Sequence, residues 1–537
     1  MNNSLYDQFL QTCNKYPNSL AERFESSTWS YSKLNKRIVA CAKKLQALGV
    51  KKGEIVSVSL PNCPLAIDLF YAISAIGAIS YNIHPLTPAS SIEDLMRKAS
   101  SEKLFCLCLY SKNIRSHLAT DITLISINPY QGINPIKSFA IMKMSGKADN
   151  TLPFEKIRKA KSFKKITVNP EDDAIYLNTG GTNGDPKIVR LSNRAINHQA
   201  EQGYNLIGGK VQNIKMLTAI PLFHGFGLAM GVHTPLSHGA STVLMMKFNT
   251  KEAIKHIRKG RATVIIGVPA LFNALLSKKE FYGPFLSKQI ISFIGGDSVN
   301  QSLLDRFDQA MKDNGSSARL FEGYGLTETI SCSNVNTFAN NRKGSIGKPL
   351  PGIEEKIVDS ETRKELPVNT PGEILISGKT LMNGYLRDET LTEEVLFKDE
   401  KGKLWLSTKD YGYIDADGFL YFKQRLKRIV KVNGETLCPK DLENQIMKLN
   451  EIFECYCYGV NHSKKGHCFR LAIVLKREYK NSNPNSIKEA VYNQIVNTLT
   501  PGYYPDRIDI YESFPHTNVG KIDSKFFDES NNDGKID

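Results

Sequence analysis

The sequence has 537 residues, is 41% apolar and 23% charged, and carries 70 Lys and Arg against 54 Asp and Glu for a formal net charge of +16. Single hydrophobic cores stop growing at roughly 250–300 residues, so one small domain is excluded; a chain without low-complexity tracts or a fixed-period repeat is neither disordered nor a solenoid. The positive charge favours any anionic partner, whether nucleic acid, membrane surface or phosphorylated ligand, and cannot choose among them.

In chain order, the first residues, MNNSLYDQFLQTCNKYPN, show neither a basic leader nor an apolar run with a small-residue cleavage site, so a cytoplasmic protein is expected. NKRIVACAKKLQALG (35–49) has helical amphipathicity, and EIVSVSL (54–60) is a strand candidate. The most apolar stretch, 60–83, is interrupted by Pro64 and Asp68 and reads as a buried helix running into a strand; at most peripheral membrane contact is expected. ATVIIGV (262–268) and GEILISG (372–378) continue an alternation of apolar runs with amphipathic segments, which implies layered α/β subdomains. Near 420–434 the character changes: FLYFKQRLKRIVKVNG joins a strand-like run to a basic cluster and a glycine turn. The segment beyond it, with helix candidates at 439–450 and 486–499 and strand candidates at 453–460 and 469–476, is enough for a small α+β domain. The expected organisation is an α/β class chain, with a large N-terminal domain 1–424, a mobile C-terminal domain 428–537 and a hinge near 425–428.

The ten cysteines include no CxxC pair or Cys/His cluster at zinc spacing. Cys106/Cys108 and Cys455/Cys457 are each expected on one face of a strand, as packing thiols. No zinc finger or aromatic-interleaved RNA motif accompanies the basic clusters, so no nucleic-acid partner is expected.

Four segments carry chemistry. TGGTNGDPK (179–187) is a Gly/Thr loop after a short apolar run, able to wrap backbone N–H groups and hydroxyls around phosphate, although no Walker A pattern passes through it. FEGYGLTET (321–329) sets glycines around Tyr324, which can stack on a flat base, beside Thr327 and the hard-oxygen ligand Glu328. WLSTKDYGYIDADGFLYFKQRLKRIVKVNG (405–434) and FPHTNVGKID (514–523) complete the series. Any one of them could be an ordinary turn. Together and in this order they resemble the adenylate-forming superfamily of acyl-CoA synthetases, nonribosomal adenylation domains and firefly luciferases, from about residue 10 to 525.

The resemblance implies an ATP-dependent ligase that adenylates a carboxylic acid and hands the acyl group to a thiol, with Mg2+ as cofactor and coenzyme A as co-substrate. It implies that Thr179, Thr182 and Lys187 grip the ATP phosphates; that Gly295, Gly296, Asp297 and Tyr324 form the base pocket; and that Thr327 and Glu328 serve phosphate and metal. Asp410 and Arg425 would hold the ribose, and Lys521 would bridge the substrate carboxylate and the α-phosphate. Lys427 would be the hinge, with Lys431 and Gly434 at a coenzyme A tunnel. This chain departs from the pattern at Gly180, Asn183 and Ile188 in the phosphate loop, at Lys409 where Gly is usual, and at Gln424. Phe223, His224 and Gly225 in IPLFHGFG would line the acyl pocket; amino-acid-activating relatives have an aspartate where His224 stands, so a fatty or other non-amino acid is expected. An acyl carrier protein in place of coenzyme A, and a non-catalytic nucleotide- or nucleic-acid-binding protein, are the alternative readings.

Overall fold

Most apolar runs of the first four hundred residues assemble into two large sheets, while GEILISG (Gly372–Gly378) joins a separate sheet of five described strands with Ile353–Val358, Leu396–Lys398, Leu404–Ile414 and Leu420–Arg425. The computed structural model describes residues 4–146, 150–179, 186–208, 211–297, 299–432, 435–462, 466–516, 522–528 and 535–536. The described chain divides into two compact units, residues 1–355 with 376–406, and residues 356–375 with 407–537.

In the first unit, nine described strands form a sheet in the order Lys348–Pro349, Asn334–Val335, Leu320–Tyr324, Ile291–Ile294, Val264–Gly267, Lys215–Thr218, Ser241–Leu244, Leu20–Phe24, Ser27–Ser30. Its central strands are parallel, as crossover helices require, and are buried on both faces. A second sheet of eight described strands runs Gly384–Tyr385, Ile188–Ser192, Asp173–Asn178, Ile79–Asn82, Ile55–Ser59, Lys103–Leu107, Thr123–Ile127, Thr151–Pro153. Candidate site residues fall in loops that follow strands of both sheets, where ligands of open α/β sheets bind.

The apolar run 60–83 is the helix Pro64–Ala75 and the strand Ile79–Asn82. Asp68 belongs in this buried helix because Arg37 reaches both it and Glu22 at 2.8 Å. Burial raises the Asp68 carboxyl to about 7 against the pull of that guanidinium. Among the described residues, no helix is long and apolar enough to cross a membrane.

The second unit carries a mixed sheet whose described strands include Val430–Val432, Ile452–His462, Gly466–Leu475 and Arg507–Tyr511, covered by the helices Pro439–Ile446 and Pro484–Thr498. The α+β reading of this segment therefore matches. The boundary at 425–428 does not coincide with the division of the chain. Asp410–Ile414 and Leu420–Arg425 pair as one antiparallel hairpin, the Thr408 hydroxyl donates to the Ile374 carbonyl at 2.7 Å, and Lys423 pairs with Asp441 at 2.9 Å, so residues 356–375 and 407–424 fall in one compact unit with the C-terminal segment.

All ten cysteines are free thiols and only Cys332 is more than marginally accessible. Cys455 and Cys457 share the strand Ile452–His462 as expected, but Cys106 and Cys108 do not share one: the strand ends at Leu107 and Cys108 begins the helix Cys108–Arg115.

Candidate active site

The phosphate-loop segment bridges the antiparallel strands Asp173–Asn178 and Ile188–Ser192. Its ends are closed by Thr179 N–H donating to the Lys187 carbonyl at 2.9 Å, which leaves Thr179 half-buried and Lys187 exposed. Thr182 lies outside the described residues. Ile188, where the resemblance expects glycine, is a buried strand residue opposite Asn178.

The short strand Gly384–Tyr385 adds antiparallel to Ile188–Ser192, with Tyr385 opposite Val189. It is held there by Asn383, whose amide donates to Asp173 at 2.7 Å while Asp173 also pairs with Arg190. This register puts the Tyr385 ring 5.2 Å from Lys187 Nζ, and the Tyr385 hydroxyl donates to Glu328 Oε1 at 2.7 Å. Met382 N–H donates to the Glu328 carbonyl at 2.9 Å. The structure thus brings Lys187 over, and Glu328 to the hydroxyl of, one aromatic ring that none of the sequence motifs contains.

Glu328 sits in a single helical turn, Thr327–Thr329, after the strand Leu320–Tyr324. Thr329 Oγ1 caps that turn by accepting from Leu326 N–H at 3.1 Å. The next residue, Ile330, has φ +70°, a left-handed conformation costly for a β-branched side chain and kept only where packing imposes it. Two glycines show what imposes it. A methyl on Gly325 would lie 1.4 Å from the Ser331 carbonyl oxygen, and one on Gly225 would lie 1.7 Å from that of Ile330. The segment around Gly225 and the Glu328 turn therefore meet backbone to backbone.

Behind Tyr324, the Ser333 amide donates to the Tyr324 carbonyl at 2.8 Å, and Ser333 Oγ donates to Asn334, whose amide donates to Glu355 at 2.9 Å. Burial raises the Glu355 carboxyl to about 8, the Asn334 bond opposing it, and raises Glu322 to about 7. Gly295, Gly296 and Asp297 follow the strand Ile291–Ile294; Gly295 is buried and Asp297 exposed.

Phe223 and His224 enter a π-helix, Phe226–His233, a form often found at functional sites. Phe223 stands between His84 and His224, with ring centroids at 4.3 and 4.7 Å. Partial burial of the ring, then the neighbouring His84, hold His224 below the usual imidazole value, so it is neutral at pH 7 although part of it meets solvent. An apolar cavity lies behind Phe223, lined by Val58, Leu60, Ala66, Phe70, Leu222 and Leu228, with Ser80 and Asn82 as its polar members. A second lies beside Gly225, between Leu177, Leu191 and Ile330, and Leu228 borders both. Among the described residues, no charged side chain lines either cavity.

The second unit holds the ribose candidates. Asp410 and Arg425 face each other across the hairpin with an Oδ1–NH1 distance of 3.1 Å; Asp410 is 1% exposed and the Arg425 side chain 52%. Lys409 has φ +57°, so the position where the resemblance expects glycine does require a left-handed backbone, and lysine bears it at a cost. Gln424 is buried and its side-chain oxygen accepts from Lys440 N–H at 3.2 Å, in the first turn of the helix Pro439–Ile446. Lys427 is exposed in the turn Leu426–Arg428, and Lys431 is ion-paired with Glu361. Lys521 and Gly434 lie outside the described residues.

Among the described residues, no three His, Cys, Asp or Glu side chains converge on a metal site. Mg2+ binds through one or two carboxylates together with waters and substrate phosphates. Glu328 with the Thr327 hydroxyl is such a donor set.

Loops that follow strands of a layered α/β frame, with the Glu328 carboxylate held by Tyr385 and Lys187 beside the same ring, are the setting of an enzyme site. The chain belongs to the AMP-binding enzyme family: the family profile matches residues 9–386, and that of the AMP-binding enzyme C-terminal domain matches residues 441–521. It is 27% identical over 540 residues to a long-chain-fatty-acid–CoA ligase of Bacillus subtilis, covering 97% of this chain and 93% of that one. It is also 27% identical over 491 residues to 4-coumarate–CoA ligase-like 2 of Arabidopsis thaliana, covering 90% of this chain and 83% of that one. Its fold matches ATP-bound MatB from Rhodopseudomonas palustris with a TM-score of 0.81 at 21% identity over 98% of both chains.

Proposed function

We propose that this protein is an AMP-forming acid–thiol ligase that activates a fatty or other non-amino carboxylic acid and transfers it to coenzyme A in the cytoplasm. The observation that carries the reading is the Lys187–Tyr385–Glu328 constellation: it sets a cation over one ring and a carboxylate at the hydroxyl of that ring, beside the segment that borders the apolar cavities.

The substrate carboxylate attacks the α-phosphorus of ATP, the α–β phosphoanhydride bond breaks, and pyrophosphate leaves. Lys187 and the loop N–H groups neutralise the departing phosphates, and Glu328 with Thr327 would hold Mg2+, which supplies positive charge to the phosphoryl oxygens. Tyr385 fixes the Glu328 carboxylate by its hydroxyl. Asp410 orients the ribose, and Arg425 supplies a counter-charge to that buried carboxylate. Lys521 is the cation between carboxylate and α-phosphate. The coenzyme A sulfur then attacks the acyl carbonyl, its proton going to solvent, and AMP leaves with the former carboxylate oxygen. Turning about Lys427 would exchange Lys521 for the loop around Lys431 and Gly434 between the two half-reactions.

The side chains behind Phe223 are apolar and His224 is neutral, and among the described residues that line the two small cavities no carboxylate could pair with a substrate ammonium. The test is product analysis by mass with ATP, Mg2+ and coenzyme A across fatty, short-chain, aryl and amino acids. AMP and acyl-CoA from apolar acids and not from amino acids are expected. AMP without acyl-CoA would transfer the acceptor role to a carrier protein, and no acid-dependent AMP with any acid would overturn the reading.

A further inference from the structure

The helix Pro135–Ser145 is built the wrong way round for a surface helix. Its inward positions are Ser138, which bonds Asn128 and Gln131 at 2.9 and 3.1 Å, and the half-buried Ile141 and Ser145. Its large apolar side chains point out: Ile136 is 82% exposed, Phe139 71%, Met142 54% and Met144 74%. No other described helix turns four such residues to solvent. Removing them from water would be favourable, and an apolar patch of this kind on a protein surface marks an interaction site.

The charge on this face selects the partner. No acidic residue occurs between 131 and 145, and at helical spacing Lys143 falls between Phe139 and Ile136 in the middle of the apolar face. Lys137 at its margin is ion-paired with Glu25. The adjoining helix Cys108–Arg115 adds exposed Tyr110 and Lys112, and the whole chain is at +16. A second copy docked face to face would bring the two Lys143 side chains together across the symmetry axis, with no carboxylate on the helix itself to pair with them, and the nearby Glu25 is already paired with Lys137. An anionic bilayer surface takes both features at once: the apolar side chains enter the acyl boundary while the lysines stay at the headgroups.

We propose that the helix Pro135–Ser145 docks the protein reversibly on anionic lipid bilayers. Membrane contact at this face would deliver the enzyme to apolar molecules dissolved in the bilayer, but the docking does not depend on what the active site does with them.

Flotation of the full chain with phosphatidylcholine vesicles, and with vesicles of phosphatidylcholine containing about one third phosphatidylglycerol, tests this at low ionic strength. The wild-type protein is expected to float with the anionic vesicles and little with the neutral ones. Ile136→Ser with Phe139→Ser should weaken that binding by about tenfold or more, and Lys143→Glu by about fivefold or more, with melting midpoints unchanged because these side chains make few folded-state contacts. Equal flotation of wild type and both variants would overturn the proposal. So would a serine variant that sediments as a smaller species than the wild type, which would assign the face to a second copy.

Discussion

The Glu328 turn and the Asp410–Arg425 hairpin each offer a carboxylate proposed to serve the nucleotide, yet they are fixed by different physics. The first is wedged: main chain lies against main chain at Gly225 and Gly325 with no room for a single methyl, and Ile330 is forced left-handed. The second leans on charge: a buried aspartate is paired with a half-exposed arginine, and Lys409 is tolerated where a glycine would sit without strain. Packing resists displacement steeply, whereas an ion pair with an open side yields gradually. On this reading the carboxylate proposed for the metal is positioned by packing, and the one proposed for the ribose by electrostatics.

The largest effect is expected where packing is tightest. Gly225→Ala should cost about 3 kcal/mol of stability in denaturant unfolding and lower pyrophosphate release by about a hundredfold, because Ile330 and with it Glu328 must move. A silent Gly225→Ala would break the contrast. Asp410→Asn should leave the fold intact and raise the KM for ATP by about tenfold to a hundredfold, with a smaller change in kcat.

Glu355 sharpens the same contrast through pH. Its folded carboxyl is raised from 4.5 to about 8, so folding holds a proton the unfolded chain releases, and the resulting penalty grows as pH rises from 4.5 through 8. Glu355→Gln removes that penalty. Its melting curve should come nearest to wild type at about pH 4 and show a growing advantage, above about 1 kcal/mol, by about pH 8.5. The smallest effect belongs to the hairpin: Lys409→Gly should relieve the left-handed strain and stabilise by less than about 1 kcal/mol, part of the gain being lost to the freer unfolded chain.

Much of this was legible in the sequence because it is local. Gly/Thr-rich loops after apolar runs, the FEGYGLTET turn and the TKD hairpin each keep their chemistry within about ten residues, and the α/β alternation follows from apolar periodicity. What the sequence hid is non-local. Tyr385 lies 57 residues from the carboxylate it bonds, and only the register of a two-residue strand brings them together. His84 meets Phe223 in the same way, through the meeting of separate loops. The Cys106/Cys108 pairing failed because alternation says nothing about where a strand ends. The contact boundary near 407 was not legible because composition changes at the basic cluster, while packing is decided by the hairpin before it.

Acid-dependent exchange of labelled pyrophosphate into ATP, without coenzyme A, tests the central claim most directly, since it reports reversible adenylate formation alone. Exchange with an apolar carboxylic acid, abolished by Glu328→Ala in a folded protein, is the expected result. Release of ADP and phosphate, or exchange that proceeds equally well without any acid, would contradict it.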